Sequence, residues 1–246
     1  MTTLDPYQTT LFAQGPPSIR PGVTIERLHL DELSWVDLAP AWMMGADTLL
    51  AELVESLAWR RGRRPMYGRM IDEPRLGAGC DLTSPEIAPA ITHMVRWLDH
   101  RYDERIDSIW VNYYRHGRDS VAWHADRVGR THADPIVAVV SLGGPRRFLL
   151  RPLGGGPAVP LRLASGDLLV MGGACQHRWE HCVPKARHAP PRVSVTLRRR
   201  EGLLDPAENW WWADRSLRPR RSGRHGVHVG ADEHPVGLRE QRLPLA

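Results

Sequence analysis

The chain predicts a mainly β, α+β fold, an antiparallel sandwich or jelly roll with helices upstream. Two observations carry this. From residue 108 onward, short apolar-rich runs recur between Gly/Pro turns: "SIWVNYYR", "PIVAVVSLG", "RRFLLRPL", "VPLRLA", "DLLVMGG" and "RVSVTLRRR". Such closely spaced β-rich runs suit a sandwich or jelly roll and not βαβ units. Before residue 108, two stretches carry helical periodicity instead.

The first helix is expected across "GADTLLAELVESLAW", with Leu50, Leu53, Val54 and Leu57 as its apolar stripe. The second opens in "TSPEIAPAITHMVRWLDH", where Thr83 and Glu86 could form a capping box and Ile87, Ile91, Met94 and Leu98 recur at helical spacing. Pro89 lies in its first turns and predicts a start later than the box. The glycines of "PLGGGPAVP" read as a hairpin loop, since no helix pattern follows to make a phosphate cradle. Four parts result: a flexible segment 1–20, a helical part 21–107 of the same domain, a β core 108–200, and a basic, mobile tail 201–246. Trp210, Trp211 and Trp212 in that tail read as packing residues.

Composition narrows the function classes. At 246 residues and 42% hydrophobic, the chain can bury one sizeable core. No apolar run approaches a membrane span. Cys80, Cys175 and Cys182 are widely separated and form no C-x-x-C pair, which fits a reducing compartment. With no basic region leading into an apolar stretch at the N-terminus, a cytoplasmic protein is expected, and a monomer. The formal net charge is +5, and Lys185 is the sole lysine, so the excess is guanidinium. Arginine suits phosphate-rich partners through bidentate bonds, although so mild an excess leans only slightly towards nucleic acid.

The chemistry centres on "VAWHADRVG". In an extended strand, His124 and Asp126 would point to one face. A later histidine from "CQHRWEHCVP", either His177 or His181, would complete two imidazoles and one carboxylate. That facial set leaves coordination positions open and suits non-haem Fe(II) oxygenases. In "RVSVTLR", Arg192, Ser194, Thr196 and Arg198 alternate with Val193, Val195 and Leu197. A strand apolar on one face with arginine at both ends of the other could hold a small dicarboxylate. A solvent-facing edge strand is the competing reading.

Together, "NYYRHGRDSVAWHAD", "GDLLVMGGACQHRWEHCVPK" and "PPRVSVTLR" resemble the AlkB family of Fe(II)/2-oxoglutarate-dependent nucleic-acid dealkylases. The resemblance covers roughly residues 108–198 and rests on the ordered set N-x-Y, H-x-D, W-x-H-x-V-P and R-x-S-x-T-x-R. It implies a double-stranded β-helix (jelly roll) with flanking helices, and Fe(II), 2-oxoglutarate and O2 as cofactor and co-substrates. His124, Asp126 and His181 are the implied iron ligands, His177 lacking the H-x-V-P context. Arg192 resembles the arginine that pairs with the distal carboxylate, and Arg198 the one near the metal-binding end. Asn112, Tyr114 and Ser194 match co-substrate contacts, with Ser194 where the family commonly has Asn.

The implied reaction converts 2-oxoglutarate to succinate and CO2 and hydroxylates a methyl on a base nitrogen, which leaves as formaldehyde. The target base, in DNA or else RNA, must be extruded or single-stranded. Arg61, Arg63, Arg64 and Arg127 are candidates for phosphate contact. Trp59 and Tyr67 are candidates to stack on the base, against core packing as the alternative. Val128 stands where the family often has an acidic residue that contacts the base, and the tyrosine often found after the "PRL" run is missing. These departures motivate a second reading, hydroxylation or demethylation of a protein or small molecule. A third is a non-catalytic nucleic-acid binder.

The segment "QTTLF" resembles short peptides that bind bacterial sliding clamps, with Gln8, Leu11 and Phe12 as the matching positions. The simpler reading is that Leu11 and Phe12 tuck onto the domain. If the peptide reading holds, Leu11→Ala/Phe12→Ala abolishes clamp pull-down; an unchanged pull-down removes it.

Overall fold

The computed structural model of the chain describes residues 14–66, 69–80, 88–126 and 134–199, with backbone alone at 64–66. The clamp-like segment, Tyr67, the Thr83/Glu86 box, Ile87, Arg127, Val128 and the tail 201–246 lie outside the described residues.

The β-rich half folds as its alternation predicts. Strands β7 (Ser108–Tyr114), β9 (Val137–Gly143), β10 (Arg146–Pro152), β11 (Val159–Leu163), β12 (Leu168–Gly173) and β14 (Arg192–Arg198) coincide with the six quoted runs. Two shorter strands complete the set, β8 (Val121–His124) and β13 (Trp179–Val183), with a single helical turn, α3 (Cys175–Arg178), before β13. Gly154, Gly155 and Gly156 all take positive φ (89°, 119° and 127°) in the β10–β11 hairpin, a conformation that side-chain-bearing residues resist.

Successive strands cross between two sheets. The larger has the order β2-β3-β12-β9-β14-β7-β6-β5 and the smaller β11-β10-β13-β8, all pairs antiparallel. Here β2 is Glu26–His29, β3 Ser34–Ala39, β5 Arg60–Met66 and β6 Arg69–Gly79. This alternation of strands between facing sheets is a double-stranded β-helix, a jelly roll.

Two helices cover the outer face of the larger sheet. The first, α1, spans Ala46–Ser56, shorter than its sequence pattern predicts, and Ala46, Leu49 and Leu53 are its buried residues. The predicted Leu50, Val54 and Leu57 flank that stripe half-buried, so the buried face is rotated by about one residue. The second, α2, spans Ala88–Tyr102 and buries Ile91, Met94 and Leu98 as predicted. Pro89 falls in its first turn, where a missing N–H leaves no bond unmade. Beneath these helices lie Val111, Val193, Val195 and Leu197 of β7 and β14. A second core, with Phe148, Leu150, Val137, Val139, Leu169 and Met171, fills the space between the sheets.

The stretch expected to be loose and helical also contributes strands. Ser18–Ile19 (β1) pairs with Met43–Met44 (β4), and Ile19 is buried, so residues 18 and 19 are anchored despite the expectation of flexibility to residue 20. Strands β2, β3, β5 and β6 extend the larger sheet at both edges. Edge strands with exposed, charged residues show little apolar alternation, which hides them from a pattern search. A polar knot ties the β2–β3 hairpin to the end of α2. Asp37, 2% exposed, accepts from Arg27 Nε and Nη2 at 2.7 and 2.8 Å and from the Tyr102 hydroxyl at 3.0 Å.

Candidate active site

Strand pairing brings the three candidate metal ligands together. His124 ends β8 and faces His181 of β13 as its cross-strand partner, with ring centroids 4.3 Å apart. Asp126 lies two residues beyond the end of β8, so the irregular backbone after the strand, not the strand pleat, aims it at the histidines. One ligand atom from each of the three lies within 4.8 Å of the others. His177 sits exposed on α3 and takes no part in this cluster.

Each ligand is held by a neighbour. His124 Nδ1 lies 2.9 Å from the Ala122 carbonyl, which requires a proton on Nδ1 and leaves the Nε2 lone pair for a metal. Phe148 stacks on His181 at 5.1 Å and 16°. The Asp126 amide donates to Gln176 Oε1 at 2.9 Å, which fixes its backbone beyond β8.

Electrostatics keeps the set in ligand form. Burial, with the neighbouring His124 charge, pushes the His181 pKa down to about 3 against the pull of Asp126. The imidazole is therefore neutral at neutral pH, and its 3.5 Å contact with Asp126 is no ion pair there. For Asp126, burial raises the pKa, but His181, Arg198, His124 and Arg75 together outweigh it and hold the carboxyl below its ordinary range. Two imidazoles and a carboxylate clustered within ligand reach of one point fit Fe(II) and leave room for other ligands.

The predicted co-substrate residues line the same face of the larger sheet. Antiparallel register sets Arg192 opposite Tyr114 and Ser194 opposite Asn112. Arg192, 1% exposed, donates from Nε to Ser141 Oγ at 2.9 Å, while its buried Nη1 has no hydrogen-bond partner. A buried guanidinium with an orphaned donor fits a carboxylate ligand, which would supply both the charge and the acceptor. Arg198 reaches the metal end, with Nη1 3.4 Å from Asp126 Oδ1. Asn112 Oδ1 accepts from Arg75 Nε at 2.9 Å and Trp110 Nε1 at 3.2 Å, so its amide NH2 is turned away from those two donors.

The substrate candidates fare differently. Trp59 packs on the helix side of the larger sheet, its ring 5.2 Å from Tyr113 and its Nε1 donating to the Val54 carbonyl at 3.0 Å. Tyr113 and the site residue Tyr114 point to opposite faces of β7, so Trp59 is not brought to the site. Its position past the end of α1 makes it a clasp for that helix. Tyr67, Arg127 and Val128 lie outside the described residues.

Sequence reading missed Gln176, Phe148, Ser141 and Arg75. Alternation in "RRFLL" could have flagged Phe148 as inward-facing, whereas the contacts of Gln176, Ser141 and Arg75 arise between segments far apart in sequence.

The profile of the 2OG-Fe(II) oxygenase superfamily matches residues 48–203. The chain is 31% identical over 218 residues to alpha-ketoglutarate-dependent dioxygenase alkB homolog 3 of Homo sapiens, covering 79% of this chain and 76% of that protein. It is 27% identical over 193 residues to the DNA oxidative demethylase ALKBH2 of Arabidopsis thaliana, covering 61% of each. Among solved structures, an oxidoreductase of the 2OG-Fe(II) oxygenase family from Burkholderia pseudomallei superposes with a TM-score of 0.47 at 16% identity, covering 66% of this chain and 84% of that one.

The buried neutral His181 makes the metal-free protein acid-sensitive. Below the ordinary histidine pKa of 6.5 the unfolded chain takes up a proton that the folded one refuses until about pH 3. Stability is thus fully present above pH ~6.5 and falls by up to about 1.4 kcal/mol per pH unit below it for this group. Urea melts in chelator between about pH 6.5 and 4.5, a window above the carboxylate range, should show this slope, and His181→Gln should flatten it by close to one proton. Equal slopes in both proteins would refute the assignment.

Proposed function

We propose, on the premise that this chain belongs to the 2OG-Fe(II) oxygenase superfamily and within it to the AlkB family, that it oxidatively dealkylates N-alkylated bases in DNA. RNA is the second candidate substrate. The observation that carries the reading is the His124–Asp126–His181 cluster together with the buried Arg192 guanidinium and its unfilled Nη1, one site for a metal and one for a dicarboxylate. When bound, Fe(II) with 2-oxoglutarate supplies O2-dependent hydroxylation, releasing succinate and CO2; a hydroxylated N-methyl group departs as formaldehyde.

The chain's own residues supply binding and orientation. His124, Asp126 and the neutral His181 ring would hold the metal. Arg192, fixed by Ser141, would pair with the distal carboxylate, and Arg198 supplies positive charge beside Asp126. Because His124, His181, Arg192 and Arg198 sit on paired strands, these four keep their spacing without ligand, while Asp126 is held through its amide by Gln176.

The nucleic-acid reading draws support from the relatives, one of which is named a DNA oxidative demethylase, and from the edge of the larger sheet. The β5–β6 hairpin adjoins β7, with Gly77 of β6 paired to Asn112. Its Arg61 and Arg63 side chains are 51% and 61% exposed and touch Asp72 at 3.6 and 3.2 Å, contacts of little strength in water. Met70 and Ile71 are exposed on the same hairpin. Exposed guanidinium groups beside apolar side chains suit a phosphate backbone with a displaced base.

The test is anaerobic reconstitution with Fe(II), then aerobic turnover of 2-oxoglutarate with methylated oligonucleotides, following succinate and formaldehyde. Both products are expected, and His124→Ala or Asp126→Ala should lower turnover more than about 100-fold. No succinate under any condition overturns the enzyme assignment of this site, and succinate without demethylation favours a protein or small-molecule substrate. Arg61→Ala/Arg63→Ala should weaken oligonucleotide binding and reduce the slope of log K against log [salt] by about two; an unchanged slope removes the hairpin from the interface.

A further inference from the structure

The interior between the two sheets holds a second buried guanidinium that the reading above leaves without a task. Arg146 opens β10 and shares its inward face with Phe148 and Leu150. It is 3% exposed. Its Nη2 donates to the Asp119 carbonyl at 2.8 Å and the Pro184 carbonyl at 2.7 Å. Its Nη1, like that of Arg192, is buried without a hydrogen-bond partner.

The two arginines share one neighbour. Their guanidinium carbons lie 5.5 Å (Arg146) and 5.2 Å (Arg192) from the centroid of the Tyr114 ring. Burial lowers both pKa values, and repulsion from Arg146 lowers that of Arg192 further, against the pull of Tyr114. Among the described residues neither forms an ion pair with a carboxylate. Asp119 attracts Arg146, but its carboxylate is held bidentate by Arg115 at 2.8 and 2.9 Å.

We infer that Arg146 is a second guanidinium for the distal carboxylate of the co-substrate, acting with Arg192 beside Tyr114. The inference rests on the reading of Arg192 given above. Two buried positive charges that repel each other are costly without a counter-charge. A carboxylate has two oxygens and about four lone-pair sites, enough to accept from both orphaned Nη1 groups. A purely structural role, stapling the segment before β8 to the one after β13, accounts for Nη2 alone. A neutral amide could bridge two carbonyls equally well, and it would leave no buried charge and no orphaned donor. The pocket so built selects a dicarboxylate over a 2-oxo acid that ends in a methyl group.

The test measures calorimetric binding of 2-oxoglutarate and of 2-oxopentanoate to the anaerobic Fe(II)-loaded full chain and its variants. The second ligand has the same chain length and lacks the distal carboxylate. Arg146→Gln should weaken 2-oxoglutarate binding about 10- to 100-fold, as for a lost charged hydrogen bond. It should leave 2-oxopentanoate within about twofold, because the penalty belongs to the pair and not to the pocket. Equal weakening of both ligands, or of neither, overturns the inference in favour of stapling. If Arg146→Gln does not fold, Arg146→Lys carries the test: an ammonium cannot reproduce the planar fork, so about 10-fold weaker 2-oxoglutarate binding is expected, and unchanged binding overturns the inference. Arg192→Gln separates the two claims. If it weakens 2-oxoglutarate while the Arg146 variants do not, only Arg146 is misassigned; if the unsubstituted chain binds no 2-oxoglutarate, both assignments fail.

Discussion

The register of β14 is the constraint on which the site and the core both depend. This strand is paired on both sides, with β7 through Arg192–Tyr114 and with β9 through Arg192–Gly143. Its side chains alternate strictly. Val193, Val195 and Leu197 enter the core under the helices, and Arg192, Ser194, Thr196 and Arg198 face the space between the sheets. A slip of one residue would drive two guanidinium groups beneath α1 and α2 and expose three apolar side chains to the co-substrate pocket. Burial of the apolar face therefore specifies where the arginines point, and packing and function are set by the same pairing.

The interior between the sheets is consequently unusual, since it combines aliphatic packing with charge. Phe148, Leu150 and Val139 surround His181, Arg192 and Ser141. A low-dielectric environment strengthens every interaction among these groups and penalises each one left alone. The protein meets this in three ways. His181 gives up its charge, Asp126 is held ionised by cationic neighbours, and Arg192 keeps a charge with one donor unfilled. The first two prepare a cation site. The third leaves a buried donor whose natural counter-charge is a ligand.

The larger sheet also connects the site to the surface. Strand β6 pairs with β7 directly at Asn112, and β6 carries Arg75, which orients the Asn112 amide. The exposed arginines of the β5–β6 hairpin are thus continuous, through backbone pairing, with a residue of the co-substrate pocket. The hairpin therefore shares a sheet with Asn112 and Arg192, while His124 and His181 face that sheet from the smaller one.

Much of this was readable along the chain, because strand alternation is a local property. The two-residue period of "RVSVTLR" and "SIWVNYY" already separated arginine, asparagine and tyrosine from valine and isoleucine, and the H-x-D pair marked a candidate metal site. Edge strands β2, β5 and β6 were hidden, since exposed charged segments lack an apolar signal. The helix α1 was found but rotated, because Leu50, Val54 and Leu57 are as apolar as the residues that became its buried face. Tertiary structure alone decided the rest. The family motif had named His181 over His177, and pairing of β13 with β8 is what sets it against His124; the pleat of β7 put Trp59 behind the sheet; and closure of the two sheets buried Arg146 and Arg192 against Tyr114. These outcomes join residues far apart in sequence, and their energies come from burial and mutual charge, which exist only once the chain has closed.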